Sequence, residues 1–271
     1  MDEVLYEVRG PKALPEMSWA EVEKVRETTR IVLIPCGTIE AHGPHLPLNS
    51  DNIQADYMCR LMVKKLAADG VNAVTGPVMC FGNNPEKIRF PGTIHFNPGL
   101  VQTIMEEICL NLFRYGFDRF AFVMGHGGNA AIQELAAQEV GVKTDGKARA
   151  VSLNWLQVTK EVYPKLLKSK KREGHGGEGE TSRVMVHHPK LVNHDAMLAY
   201  YLEETPAADE VPYSRSPAYG GGVGGPLRDF REITPYGHYG DPSLATTETG
   251  HALYDAICTW MNRVIKRDLV D

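Results

Sequence analysis

The sequence predicts an α/β protein with a mostly parallel central sheet. Apolar runs of strand length alternate along the chain with helix-length segments, as a parallel sheet with crossover helices requires. Gly- and Pro-punctuated turns follow the runs and carry His, Asp and Glu, where open α/β sheets place their ligands. Ser18, with Glu21 three residues later, reads as a capping box opening a helix over 18–28. Residues 30–36 are the first strand. A helix over 51–69, stopped by Gly70, comes next, with Asp51 at its positive end. Residues 71–77 form the second strand, 98–115 a helix, 119–125 the third strand, 129–142 a helix and 148–155 the fourth strand. Residues 183–186 read as helical, and 246–266 as a final amphipathic helix. The whole chain, 1–271, is expected to form one domain.

Two segments are irregular. Residues 81–93 lie after a strand and are expected at the mouth of a pocket. Residues 205–243 are rich in Gly, Pro, Tyr and Arg; a loop of this length in a compact domain is usually functional, so a substrate lid or subunit contact is expected. Arg228, Arg231 and Tyr236 would there meet polar substrate groups or a neighbouring subunit. The glycine run at 220–225 has no following Walker lysine and does not read as a phosphate cradle.

Composition narrows the function. With 43% hydrophobic and 23% charged residues, the 271-residue chain has an ordinary globular profile. A net charge of -5 with no long basic run argues against nucleic acid. No apolar stretch approaches the roughly 20 residues needed to span a bilayer, and residues 1–4 lack the basic start of a signal peptide, so a cytoplasmic location is expected. Five cysteines, an odd number without C-x-x-C spacing, argue against a disulfide frame; Cys36, Cys59, Cys80 and Cys109 fall in apolar runs and read as core.

Three donor-rich glycine turns carry the chemistry. The first, Glu40-Ala-His-Gly-Pro-His-Leu-Pro-Leu-Asn-Ser-Asp51, puts Glu40, His42 and Asp51 at or beyond the end of the first strand. The second, Gly125-His-Gly-Gly-Asn129, follows the third strand and leaves room for an ion beside His126. The third, Gly174-His-Gly-Gly-Glu-Gly-Glu-Thr-Ser182, presents His175, Glu178 and Glu180. Taken singly, each has an ordinary structural explanation, a hydrogen-bonded loop histidine or a helix cap. Together they point to a divalent metal centre of oxygen and nitrogen donors, suited to zinc, manganese or iron(II). His45 is a candidate for orienting a ligand.

These three motifs, in this order, resemble the creatininase (creatinine amidohydrolase) family of binuclear metal hydrolases. The likeness runs from about Ser18 to Ser182 and more loosely beyond. The resemblance implies a three-layer α/β/α sandwich and two divalent ions (zinc, manganese or iron) bridged by Asp51, with Glu40 and His126 on one and His42 on the other. It also implies a homo-oligomer, often a hexamer. Creatininase carries a carboxylate two residues after the histidine of its second motif; this chain has Gly128 there, and Glu180 is the candidate replacement. Glu178 or His175 is then left for proton transfer. Gly127, Gly128, Asn129 and Arg228 are candidate substrate contacts. The loop before His175, Lys168-Ser-Lys-Lys-Arg-Glu173, lacks the tryptophan that creatininase places there, which argues against creatinine itself as the substrate.

Water held between two such ions has its pKa lowered towards ~7, so the expected reaction is metal-hydroxide attack on the carbonyl of a small cyclic amide. Competing activities are deformylation of a formamide and C–C cleavage of a cyclic ketone such as a keto-inositol. A competing role of another kind is a non-catalytic maturation or binding protein that keeps the metal loops.

Overall fold

A computed structural model of the chain describes residues 8–170, 173–199, 229–232 and 234–270. The predicted strand runs form β1 (Ile31–Cys36), β2 (Ala73–Thr75), β3 (Arg119–Met124) and β4 (Arg149–Leu153). They pair in the order β2-β1-β3-β4, every pairing parallel. β2 is shorter than its apolar run: it lies at the sheet edge, and Pro77 has no N–H for the ladder.

The predicted helices appear within one or two residues as α1 (Trp19–Arg26), α2 (Ser50–Ala68), α3 (Pro98–Arg114) and α4 (Ala130–Lys143). The Ser18 capping box forms, with the Glu21 carboxylate accepting from the Ser18 backbone N–H at 2.7 Å. Four further α-helices follow among the described residues. α5 (Leu156–Leu166) was not expected, since Pro164 and a mixed pattern obscure it. α6 (Glu178–His187) starts well before the apolar stretch 183–186, so Glu178 and Glu180 lie in its first turn instead of on a loop. After the short α7 (His194–Ala199) and residues outside the description, α8 (Thr247–Ile265) matches the predicted C-terminal helix.

Alternation along the strands divides the core into two layers. Ile31 and Leu33 of β1 and Ala121 and Val123 of β3 pack with Met58, Met62 and Leu66 of α2 and with Leu269, Tyr254, Ile257 and Met261 at the C-terminal end. Val32, Ile34, Phe120 and Phe122 face the opposite way, onto Val101 and Met105 of α3 and Ile132 and Val140 of α4. The result is the three-layer α/β/α sandwich. Cys36, Cys59, Cys109 and Cys258 are buried, while Cys80 is only half-buried, because it lies beyond the end of β2.

Candidate metal centre

β1 leads through α2 to β2 on one side of the sheet, while its neighbour β3 leads through α4 to β4 on the other. The carboxyl ends of β1 and β3 therefore form the switch point where open α/β sheets leave a crevice. Glu40 and His42 follow β1 and His126 follows β3, so both segments deliver donors to that crevice. The N-terminal turn of α2 closes in from one side. A Cβ at Gly125 would lie 2.5 Å from the Asp51 carbonyl oxygen, so a residue without a side chain is needed for α2 to bring Asp51 this near.

Three histidines converge there in one pattern. His42 Nδ1–H donates to the Glu40 carbonyl at 3.0 Å, leaving Nε2 at 2.9 Å from Asp51 Oδ1 and 3.8 Å from both Glu40 Oε1 and Glu180 Oε1. His126 Nε2–H donates to the Asn83 carbonyl at 2.9 Å, leaving Nδ1 at 3.3 Å from Glu40 Oε1 and from Asp51 Oδ2. His175 Nε2–H donates to the Ala41 carbonyl, leaving Nδ1 at 3.7 Å from Glu40 Oε1. A carbonyl can only accept, so the nitrogen on it carries a proton; the other nitrogen of each ring faces the carboxylates, where His42 Nε2 donates to Asp51 in the metal-free protein and would turn its lone pair to a cation. Glu40, His42, Asp51, His126 and Glu180 are all buried.

The creatininase family model, described as creatinine amidohydrolase, matches residues 15–265. The chain belongs to the creatininase family. It is thus a metal-dependent hydrolase by family. The chain is 28% identical to the mycofactocin precursor peptide peptidase of Mycolicibacterium smegmatis over 238 residues, covering 88% of this chain and 85% of that one. It is 25% identical to the creatinine amidohydrolase of Pseudomonas putida over 224 residues, covering 76% and 84%. A solved manganese form of creatininase superposes with a TM-score of 0.74 at 22% identity, over 94% of this chain and 98% of that one.

In this creatininase-family chain the donor geometry fits divalent cations. Glu40 Oε2 is buried with no hydrogen-bond partner, an arrangement costly in a low dielectric unless a cation meets it. Among the described residues, three overlapping groups could hold ions: Glu40, His42 and His175; Glu40, Glu86 and His126; His42, Asp51 and Glu180. Electrostatics point the same way. Burial by itself pushes His42 down, but Asp51, Glu180 and Glu40 outweigh it and raise the imidazole to about 9. His126 is likewise raised well above its ordinary value, against burial, by Glu40 and Asp51. Burial would raise Asp51, yet His42 and His126 hold it well below the usual carboxylate range; these partners, more than the helix dipole, keep it ionised. The centre draws positive charge from protons where cations are absent. His175 goes the other way, lowered by burial and then by His42 and Lys87.

The remaining candidates separate. Glu180 joins the centre: Oε1 accepts from Gln54 Nε2 at 3.0 Å and Oε2 from the Gly176 N–H at 2.7 Å. Glu178 does not. Its two oxygens accept from the backbone N–H groups of Lys168 (3.0 Å) and Ser169 (2.7 Å), which tie down the preceding loop. Asn129 is fully buried and structural, donating to the Gly37 carbonyl and accepting from the Asn83 N–H, both at 3.0 Å. Gly127 and Gly128 form a single 3-10 turn with it. Arg228 and the glycine run 220–225 lie outside the described residues. His45 Nε2 sits 3.0 Å from both the Gly176 carbonyl and Thr181 Oγ1, where it braces the third motif.

Sequence reasoning missed Glu86 and Lys87, both at the centre. Lys87 Nζ lies 3.1 Å from Glu40 Oε1 and 2.9 Å from Glu86 Oε1. The signal available was only the segment 81–93, expected at a pocket mouth. Phe230, from the far part of the irregular region, walls the centre by meeting the His175 ring edge-on at 5.1 Å between centroids.

Proposed function

We propose that this protein is a two-metal hydrolase that cleaves a C–N amide bond, with a small cyclic amide as its substrate class. The observation that carries this is the set of three histidines, each with its outer ring nitrogen on a backbone carbonyl and its inner one turned to buried carboxylates. One ion would be held by Glu40, His126 and Asp51, the other by His42, Asp51 and Glu180. The bridging role of Asp51 is supported by its two oxygens, one beside His42 and the other beside His126. Bound there, two divalent ions supply an activated water and polarise a carbonyl oxygen.

The chain's own groups do the rest. His175 keeps its proton on Nε2 against the Ala41 carbonyl, so its free Nδ1 takes up a proton at the centre and returns it to the departing nitrogen. Burial, His42 and Lys87 lower its pKa, so Nδ1 is unprotonated at rest and a proton taken up there is readily passed on. Glu178 acts at a distance, holding residues 168–169 against the start of α6. Phe230 and Tyr239 cover the His175 face with apolar surface that excludes water. A linear peptide amide is the second reading, supported by the similarity to the mycofactocin precursor peptide peptidase. A homo-oligomer belongs to the same proposal, and light scattering on the purified protein measures it.

The test is metal content by elemental mass spectrometry together with turnover of a panel of creatinine, cyclic ureas, lactams, formamides, keto-inositols and short peptides. About two ions per chain and metal-dependent hydrolysis of one amide are expected, with Asp51→Asn losing both. An Asp51→Asn protein that keeps its metal and its turnover would overturn the proposal. Less than one ion in the wild type, with no activity after zinc, manganese or iron(II) is restored, would favour a non-catalytic binding protein.

A further inference from the structure

The turn after β3 carries no carboxylate at Gly128, and the fold leaves no room for one. A Cβ there would lie 2.3 Å from the Asn83 carbonyl oxygen and 2.4 Å from His126 Nε2. The space is taken by the segment after β2, which lies against this turn. The Asn83 carbonyl accepts from His126 at 2.9 Å, and the Asn83 N–H donates to Asn129 Oδ1 at 3.0 Å. Pinned in this way, the chain makes one 3-10 turn, Pro85–Lys87, which carries the Glu86 carboxylate to Glu40 and His126. One donor atom from each of these three residues lies within 4.8 Å of the others. The Glu86 side chain is 13% exposed, and Glu40 beside it, at 1%, has a carboxylate oxygen with no hydrogen-bond partner.

We propose that Glu86 is a further ligand of the ion held by Glu40 and His126, reaching the centre from the segment after β2, while Glu180 serves the His42 ion. The inference rests on the two-metal reading. With Glu86, this ion would be held by carboxylate oxygens of Glu40, Asp51 and Glu86 and a single imidazole, His126. An oxygen-rich set of this kind suits a harder divalent ion, manganese in preference to zinc. Lys87 has a separate role: it contacts both Glu40 and Glu86 and offsets negative charge without ligating.

The test is a calorimetric titration of metal-free full-length protein with Mn(II), with bound Mn(II) counted by electron paramagnetic resonance. Wild type is expected to bind two Mn(II) per chain. Glu86→Gln is expected to weaken one of the two by at least about ten-fold and to leave the other unchanged. Lys87→Met, which removes the ion-pair partner and keeps the carboxylate, is expected to bind both ions as tightly as wild type or more tightly. Glu86→Asp, which keeps the charge but shortens the reach, is the check if Glu86→Gln does not fold; it too is expected to weaken one ion. Two ions at wild-type affinity in the Glu86 variants would overturn the proposal, as would equal weakening in Glu86→Gln and Lys87→Met, because Glu86 would then serve only to pair Lys87. A wild type that binds neither Mn(II) nor Zn(II) would overturn the two-metal reading itself, a failure seen in the parent protein and so distinct from one confined to the variants.

Discussion

Asp51 is the residue on which the centre turns, since its two oxygens face different histidines and no other carboxylate of the group is shared in that way. Its neighbours are held by a second row of side chains. Gln54 donates to Glu180 Oε1 at 3.0 Å while its own oxygen accepts from Arg183 Nε at 2.6 Å, so one amide orients a candidate ligand and satisfies a buried guanidinium. Gln54→Leu is expected to weaken the ion on the His42 side about 10- to 100-fold, with the other ion unaffected, measured by metal titration. Unchanged affinity would show that Glu180 does not ligate. At this scale Glu40, His42, Asp51 and His126 were legible in the sequence because each stands within a few residues of a strand end or at a helix start. In the sequence Glu180 reads as a ligand and Glu178 as a candidate for proton transfer; Glu180 meets Gln54 and the centre, whereas Glu178 meets backbone N–H groups of the preceding loop. That placement depends on residues 168–169 folding back onto the start of α6, which no local pattern shows. Glu86 was equally invisible, because its approach depends on how residues 82–83 pack across the sheet end.

Among elements, the contact between α6 and α8 sets where Glu180 sits. Gly250, on α8, is so close to α6 that a Cβ would lie 2.2 Å from the Ser182 carbonyl oxygen. Gly250→Val is therefore expected to destabilise the fold by roughly 1–3 kcal/mol or more through overpacking and to loosen metal binding by displacing the first turn of α6. Denaturant unfolding and metal titration of the same variant measure the two effects. Ser18→Ala is the contrasting case: loss of the α1 cap should cost about 1 kcal/mol and leave metal affinity alone, because α1 carries no residue of the centre. A cap is a local rule, which is why Ser18 and Glu21 could be read directly. α5 could not, since a helix containing Pro164 keeps its place through packing that no short window of sequence displays.

For the whole molecule, the centre couples metal, protons and stability. In the metal-free protein His42 is raised to about 9 from an ordinary value of 6.5. A raised histidine adds stability that is fully present below 6.5 and is lost as pH rises through 6.5 to about 9. Metal binding requires the neutral imidazoles, so the gain in melting temperature on adding Mn(II) or Zn(II) is expected to grow from pH 6 to about 9, and chelation to reverse it. Scanning calorimetry across that range decides; a gain that stays flat or shrinks with rising pH would mean that His42 is not a ligand. Most of the fold was legible at this scale, because alternating strand-length and helix-length segments leave a parallel sheet as the simple solution, and the strand pairings bear it out. By itself the sequence determined the sheet, its crossover helices and the donor-bearing turns, all products of periodicity and turn chemistry acting over a few residues. Only the tertiary structure decided which donors meet. Residues as distant in sequence as Glu40, Glu86, His126 and Glu180 converge through strand order and helix packing, and that convergence is settled by long-range burial instead of by any local preference.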